Sequence, residues 1–135
     1  MRFELIDQVL ERAPDRLTAI KNVTTAEEYL GDHFPGFPVL PGVMMLETLV
    51  QAARLLADAE ATSPCESAWV VREVRNVRYG QMVRPGQTLE VEVTLRSRDD
   101  AGCEFQGKGT VAGQVAVQGR FRLAPLAERT QPGQG

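Results

Sequence analysis

One histidine, His33, stands just ahead of three evenly spaced prolines, Pro35, Pro38 and Pro41, and Gly42 follows the last of them. An apolar run comes next, interrupted by one carboxylate, Glu47. An imidazole can take up a proton near neutral pH, and a carboxyl group can deliver one. A backbone N–H at the start of a helix can hold an oxygen on which negative charge develops. A base candidate, an oxyanion donor and an acid candidate therefore fall between His33 and Glu47. Each has a plainer reading when taken alone: a packed histidine, the wet edge of a helix, a stiff turn or polyproline ligand. Their combination favours chemistry. The prolines fix backbone angles on both sides of Gly36 and hold His33 in a set relation to the start of the helix. Gly42, without a side chain, lets a ligand oxygen approach its N–H closely.

The element that must carry Glu47 is a helix expected from Val43 to about Ala59. Its polar residues, Glu47, Gln51, Arg54 and Asp58, recur at spacings of four, three and four and share one stripe. The rest of its circumference is apolar and has to be covered by the fold. Upstream, "FELIDQV" (Phe3 to Val9) is a candidate strand start and Pro14-Asp15 a turn, with "LTAIKNV" as a second strand. Thr24 or Thr25 offers a cap for a short helical turn. After the loop "EATSPCES" the hydrophobic period becomes two. "AWVVREVRNVRYG", "TLEVEVTLRSR", "CEFQGKGTVAG" and "VAVQGRFRL" read as four strands, with a hairpin turn in "VAGQV". Gly107, Gly109 and Gly119 are candidate bulges or bends. The expected architecture is α+β, an antiparallel sheet wrapped around a long central helix. Residues 1–124 form one domain, and the polar tail 125–135, rich in proline and glycine, is expected to be disordered.

The 135 residues carry 43% apolar and 24% charged side chains with a net charge of −3, as in ordinary soluble domains. No concentrated basic footprint marks a nucleic-acid partner; Arg72, Arg75, Arg78 and Arg84 read first as a solvated strand face. No apolar run is long enough to span a membrane, and the N-terminal segment does not read as a signal peptide. Cys65 and Cys103 lack metal-ligand spacing, which leaves two unpaired thiols in a reducing cytoplasm.

The stretch "DHFPGFPVLPGVMMLETLVQ" resembles the signature of the β-hydroxyacyl-acyl-carrier-protein dehydratases of bacterial type II fatty acid synthesis, which have the hot-dog fold. His33, Phe34, Pro35, Pro38, Pro41, Gly42, Glu47 and Gln51 match its pattern in order, with Glu47 fourteen positions after His33. "RLTAIKNVT" and "VRNVRYGQMVRPGQTLEVEVTL" resemble neighbouring family strands, and the likeness covers most of Arg2 to Leu123. Glutamate at position 47, rather than aspartate, resembles the dehydratase-only branch. Two departures stand out: a Pro-His-Arg segment common near the family's N-terminus is missing, and Asp32 replaces the usual glycine before the histidine. A carboxylate beside His33 opposes its use as a base unless the two side chains point apart.

The resemblance implies loss of water from a (3R)-3-hydroxyacyl thioester to give the trans-2-enoyl thioester. In it His33 is the base at C2, the Gly42 N–H holds the thioester oxygen, and Glu47 protonates the departing hydroxyl. That last role needs a carboxyl that still carries its proton near neutral pH, for which burial in an apolar tunnel is the expected cause. Glu47 and Gln51 are expected to line the site or a subunit contact, while Arg54 and Asp58 reach solvent. Leu40, Val43 and Met44 are expected to line the acyl tunnel. The resemblance further implies an acyl carrier protein thioester as substrate and a homodimer in which His33 of one chain faces Glu47 of the other. A trimer of dimers is a further expected assembly. No metal, nucleotide or redox cofactor is implied. Two rival readings are a hot-dog acyl thioesterase, using a carboxylate to activate water, and a non-catalytic acyl-binding relative.

Overall fold

The computed structural model describes residues 5–23, 40, 42–57 and 69–125. The helical turn expected after Thr24, the loop at 60–67, Cys65, Asp58 and the tail beyond Pro125 lie outside the described residues. So do His33, Asp32 and the three prolines of the motif. The elements run β1 (Gln8–Ala13), β2 (Arg16–Asn22), α1 (Gly42–Ala57), β3 (Trp69–Tyr79), β4 (Thr88–Asp99), β5 (Gly102–Val111) and β6 (Gln114–Pro125). All strand pairs are antiparallel, in the sheet order β1-β2-β4-β5-β6-β3. The helix touches every strand from β2 to β6, so the sheet wraps it as expected.

Strand alternation builds the two faces. Leu17 and Ala19 of β2, Leu89, Val91 and Val93 of β4, and Phe105, Phe121 and Leu123 all turn inward and are sealed from solvent. They meet Leu49, Ala52, Ala53 and Leu56 of α1 in one core. Phe105 and Phe121, opposite one another in the register, stack with ring centroids 5.9 Å apart. At Gly107 a Cβ would lie only 3.2 Å from a Leu49 methyl and 3.3 Å from the Phe121 ring. The absent side chain is what lets α1 settle onto the sheet there.

The outer face is charged. A shallow depression of 380 Å³ across β1, β2, β4 and β5 is lined by Arg16 and Lys108 among Glu11, Glu90 and Glu92. Further along, Arg122 lies 2.7 Å from Asp99, and Arg75 lies 2.6 Å from Glu104. Arg72, Arg75 and Arg78 are exposed on β3, in keeping with a solvated strand face, while Arg84, also exposed, lies in the connection from β3 to β4.

Three details differ from the sequence reading. The first strand begins at Gln8 and continues through Ala13, because its register is set by the tight Pro14-Asp15 turn that pairs Ala13 with Arg16. Its residues are mostly exposed, so no alternation could announce it. Leu5, ahead of it, is a sealed core residue. Of the three strand glycines, Gly109 borders a register shift with β6 and Gly119 lies opposite one in β3, whereas Gly107 pairs regularly with Gly119. The hairpin turn in "VAGQV" is as expected: Ala112 and Gly113 both have positive φ, 52° and 81°, the combination that suits a two-residue hairpin.

Candidate active site

The chain entering α1 is held from below by the β3–β4 connection. The Leu40 N–H donates to the Val83 carbonyl at 2.8 Å. In the same connection Gly86, with φ 92°, donates its N–H to the Val23 carbonyl at 2.8 Å, tying it to the end of β2. Gly42 is the first helical residue, and its N–H is one of those that a helix start leaves without an intrahelical partner. The space where its Cβ would project is filled by the Tyr79 ring, whose nearest carbon is 3.0 Å away. The missing side chain therefore serves close packing against β3 at least as directly as approach by a ligand. Val43, next along, is 68% exposed.

One turn into the helix, Glu47 keeps 39% of its side-chain surface open. Its carboxyl meets two polar side chains of the same helix. Gln51 Nε2 donates to Glu47 Oε2 at 3.2 Å, and Arg54 Nη1 lies 3.5 Å from the same oxygen. Gln51 is 3% exposed, and its Oε1 accepts the Leu5 backbone N–H at 2.7 Å. The Arg54 Nε–H donates to the Trp69 carbonyl at 3.0 Å, at the start of β3. The carboxyl is thus connected to two distant backbone groups through two side chains of its own helix. Such a group can give or take a proton from a fixed position.

Of the residues singled out from sequence, Gly42, Val43, Glu47 and Gln51 are together on the first three turns of α1. His33 lies outside the described residues, and so does its distance from Glu47. Arg54 differs from expectation. It is 21% exposed at its side chain and turned along the helix onto Glu47, because an arginine seven residues on lies two turns along the same face. Leu40 is 2% exposed and sealed in the core, so it lines no open channel in the described chain, and Met44 packs partly against that core. The sequence reading missed Leu5 and Tyr79. The Glu47–Gln51 spacing of four did carry a signal for side-chain pairing, but nothing local marks a partner 46 residues away. Among the described residues, no three histidine, cysteine, aspartate or glutamate side chains converge as metal ligands. No described helix is long and apolar enough to cross a membrane.

Comparison with known proteins identifies relatives over nearly the whole chain. A family model for the FabA-like domain matches residues 1–120. The chain is 38% identical over 129 residues to the 3-hydroxyacyl-acyl-carrier-protein dehydratase FabZ of Myxococcus xanthus, covering 94% of this chain and 84% of that protein. It is 37% identical over 124 residues to the FabZ of Lactococcus lactis, covering 90% and 84% respectively. Among solved structures, the dehydratase heterocomplex ApeI:P from Xenorhabdus doucetiae superimposes with a TM-score of 0.71 at 22% identity, over 90% of this chain and 82% of that one. A Streptococcus mutans protein bound to acetyl CoA superimposes with a TM-score of 0.68 at 13% identity, over 87% and 86%. At these identities the structural likeness speaks for the hot-dog fold alone. Fold, motif and sequence kinship agree: the chain belongs to the β-hydroxyacyl-acyl-carrier-protein dehydratase family.

Proposed function

We propose that the protein eliminates water from (3R)-3-hydroxyacyl thioesters of acyl carrier protein to give trans-2-enoyl thioesters in fatty acid or related lipid synthesis. The observation that carries this reading is the Glu47 carboxyl, half-open on α1 and fixed through Gln51 to the Leu5 backbone. In the proposed step His33 removes a proton from C2 while the Gly42 N–H steadies the charge gathering on the thioester oxygen. The C3–oxygen bond then breaks as Glu47 delivers its proton, and the hydroxyl leaves as water. The proton on His33 returns Glu47 to its starting state through solvent or the departing water.

The site is proposed to be shared across a homodimer, His33 of one protomer meeting Glu47 of its partner. The exposed apolar side chains of Val43, Tyr79 and Met82 near the helix start support a covering partner there. Assembly into a trimer of dimers and a cytoplasmic location belong to the same proposal.

The test is to incubate the purified protein with 3-hydroxyacyl and enoyl thioesters, following enoyl absorbance and free thiol together. Interconversion without thiol release is the expected result. Thiol release would instead identify a thioesterase, and silence on all chain lengths an acyl-binding protein. Mixing His33→Ala with Glu47→Ala protein, each inactive alone, should restore part of the activity through hybrid dimers. No recovery, once subunit exchange is demonstrated, overturns the shared site.

A further inference from the structure

Glu47 has two carboxyl oxygens, and the chain treats them differently. Gln51 Nε2, at 3.2 Å, and Arg54 Nη1, at 3.5 Å, both converge on Oε2. Among the described residues Oε1 has no such neighbour. Arg54 is itself held at a second point, its Nε–H donating to the Trp69 carbonyl at 3.0 Å. A guanidinium presents several donors in a rigid plane, so one face of it can grip β3 while the other reaches the helix. Gln51 gives the matching tether on the other side, to Leu5.

We propose that Arg54 is a positioning residue for the reaction: it pins Oε2 of Glu47 to the start of β3 and so presents Oε1 to the substrate hydroxyl. This rests on the dehydratase reading and adds to it a division of labour within one carboxyl group. Removing the guanidinium leaves Oε2 held only by Gln51, which frees rotation of the Glu47 side chain and loosens the presentation of Oε1 to the hydroxyl. Substrate binding, which depends on the acyl channel and the thioester, changes little. The loss therefore falls on kcat rather than on KM.

The experiment compares wild type, Arg54→Met and Arg54→Lys in steady-state hydration of an enoyl thioester, with a double-mutant melting cycle between Arg54→Met and Glu47→Gln. Arg54→Met should lower kcat by about 10- to 100-fold with KM within about twofold. Arg54→Lys keeps the charge but not the planar fork, and should recover part of kcat. In the melting cycle, the two substitutions should be non-additive by about 1–3 °C, reporting a contact that exists in solution. Wild-type kcat in Arg54→Met, equal losses in kcat and affinity, or strict additivity in the melting cycle would each overturn the proposal. A wild-type protein inert on every thioester would overturn the dehydratase reading instead, and the melting cycle would still decide whether Arg54 holds the carboxyl.

Discussion

Two carboxylate–arginine groupings on this chain look alike in sequence and differ in kind. On the outer face of the sheet, two short pairs, Arg122–Asp99 at 2.7 Å and Arg75–Glu104 at 2.6 Å, are joined by a longer contact of 3.9 Å between Arg122 and Glu104. On α1, Glu47 and Arg54 are farther apart, at 3.5 Å. By distance alone the outer group is the stronger. Yet both oxygens of Asp99 are taken up by Arg122, and Oδ1 also accepts the N–H groups of Ala101 and Gly102 in the β4–β5 turn. That carboxylate is a fastener, with no oxygen to spare. Glu47 is gripped at one oxygen, through side chains whose other ends are anchored in backbone. The contrast separates a carboxylate whose oxygens are all engaged from one that is held firmly yet keeps an oxygen available, the property the proposed acid needs.

The largest test of this contrast is Glu47→Gln against Glu104→Gln. The first should lower thioester dehydration by about 10²–10⁴-fold with little change in melting, as expected for loss of an acid group. The second should keep activity within about twofold, because an exposed pair contributes little. Comparable losses in both would erase the distinction. Next comes Gln51→Ala, which leaves the buried Leu5 N–H without its acceptor. Denaturant titration should show a cost of about 1–3 kcal/mol, and kcat should fall as well. Gly107→Ala touches neither grouping but presses a methyl onto Leu49 and Phe121. Overpacking of this kind costs about 1 kcal/mol or more, and it should disturb the site on α1 while leaving the outer face intact.

The smallest effect is one of pH. Arg122 and the Ala101 N–H hold the Asp99 carboxyl below its ordinary value of 3.8. A lowered folded value means that the pair's stabilisation is complete above that ordinary value and is lost as pH falls through the folded one. Melting measured from pH 6 down to pH 2 should therefore decline less steeply below pH 4 in Asp99→Asn than in wild type. Parallel curves would remove Asp99 from the account.

Much of the scaffold is written locally. The period-two runs of β4 and β6 and the apolar circumference of α1 arise from side-chain order, and the Ala112-Gly113 turn from its backbone demands. The start of β1 was not legible, since an exposed edge strand takes its register from the turn and its neighbour. Glu47 could be picked out as the proposed acid through its helical spacing and its motif. Its surroundings could not. An apolar setting was expected for Glu47 because its sequence neighbours are Met44, Met45, Leu46, Leu49 and Val50. Of those residues Met45, Leu49 and Val50 are buried in the core and Met44 and Leu46 pack against it, while the carboxyl itself meets Gln51 and Arg54. The anchors at Leu5 and Trp69 are brought in by the fold over long separations, which no local pattern records.

Gly107 has a bearing on how the family can vary. The seat of Leu49 on the sheet sets how deep α1 rides, and Glu47 is only two residues from that seat. A single hydrogen in place of a methyl group on β5 thus helps set the height of the proposed acid, Glu47, above the strands. Evolution could retune the depth of the proposed site from a buried position on the sheet beneath it.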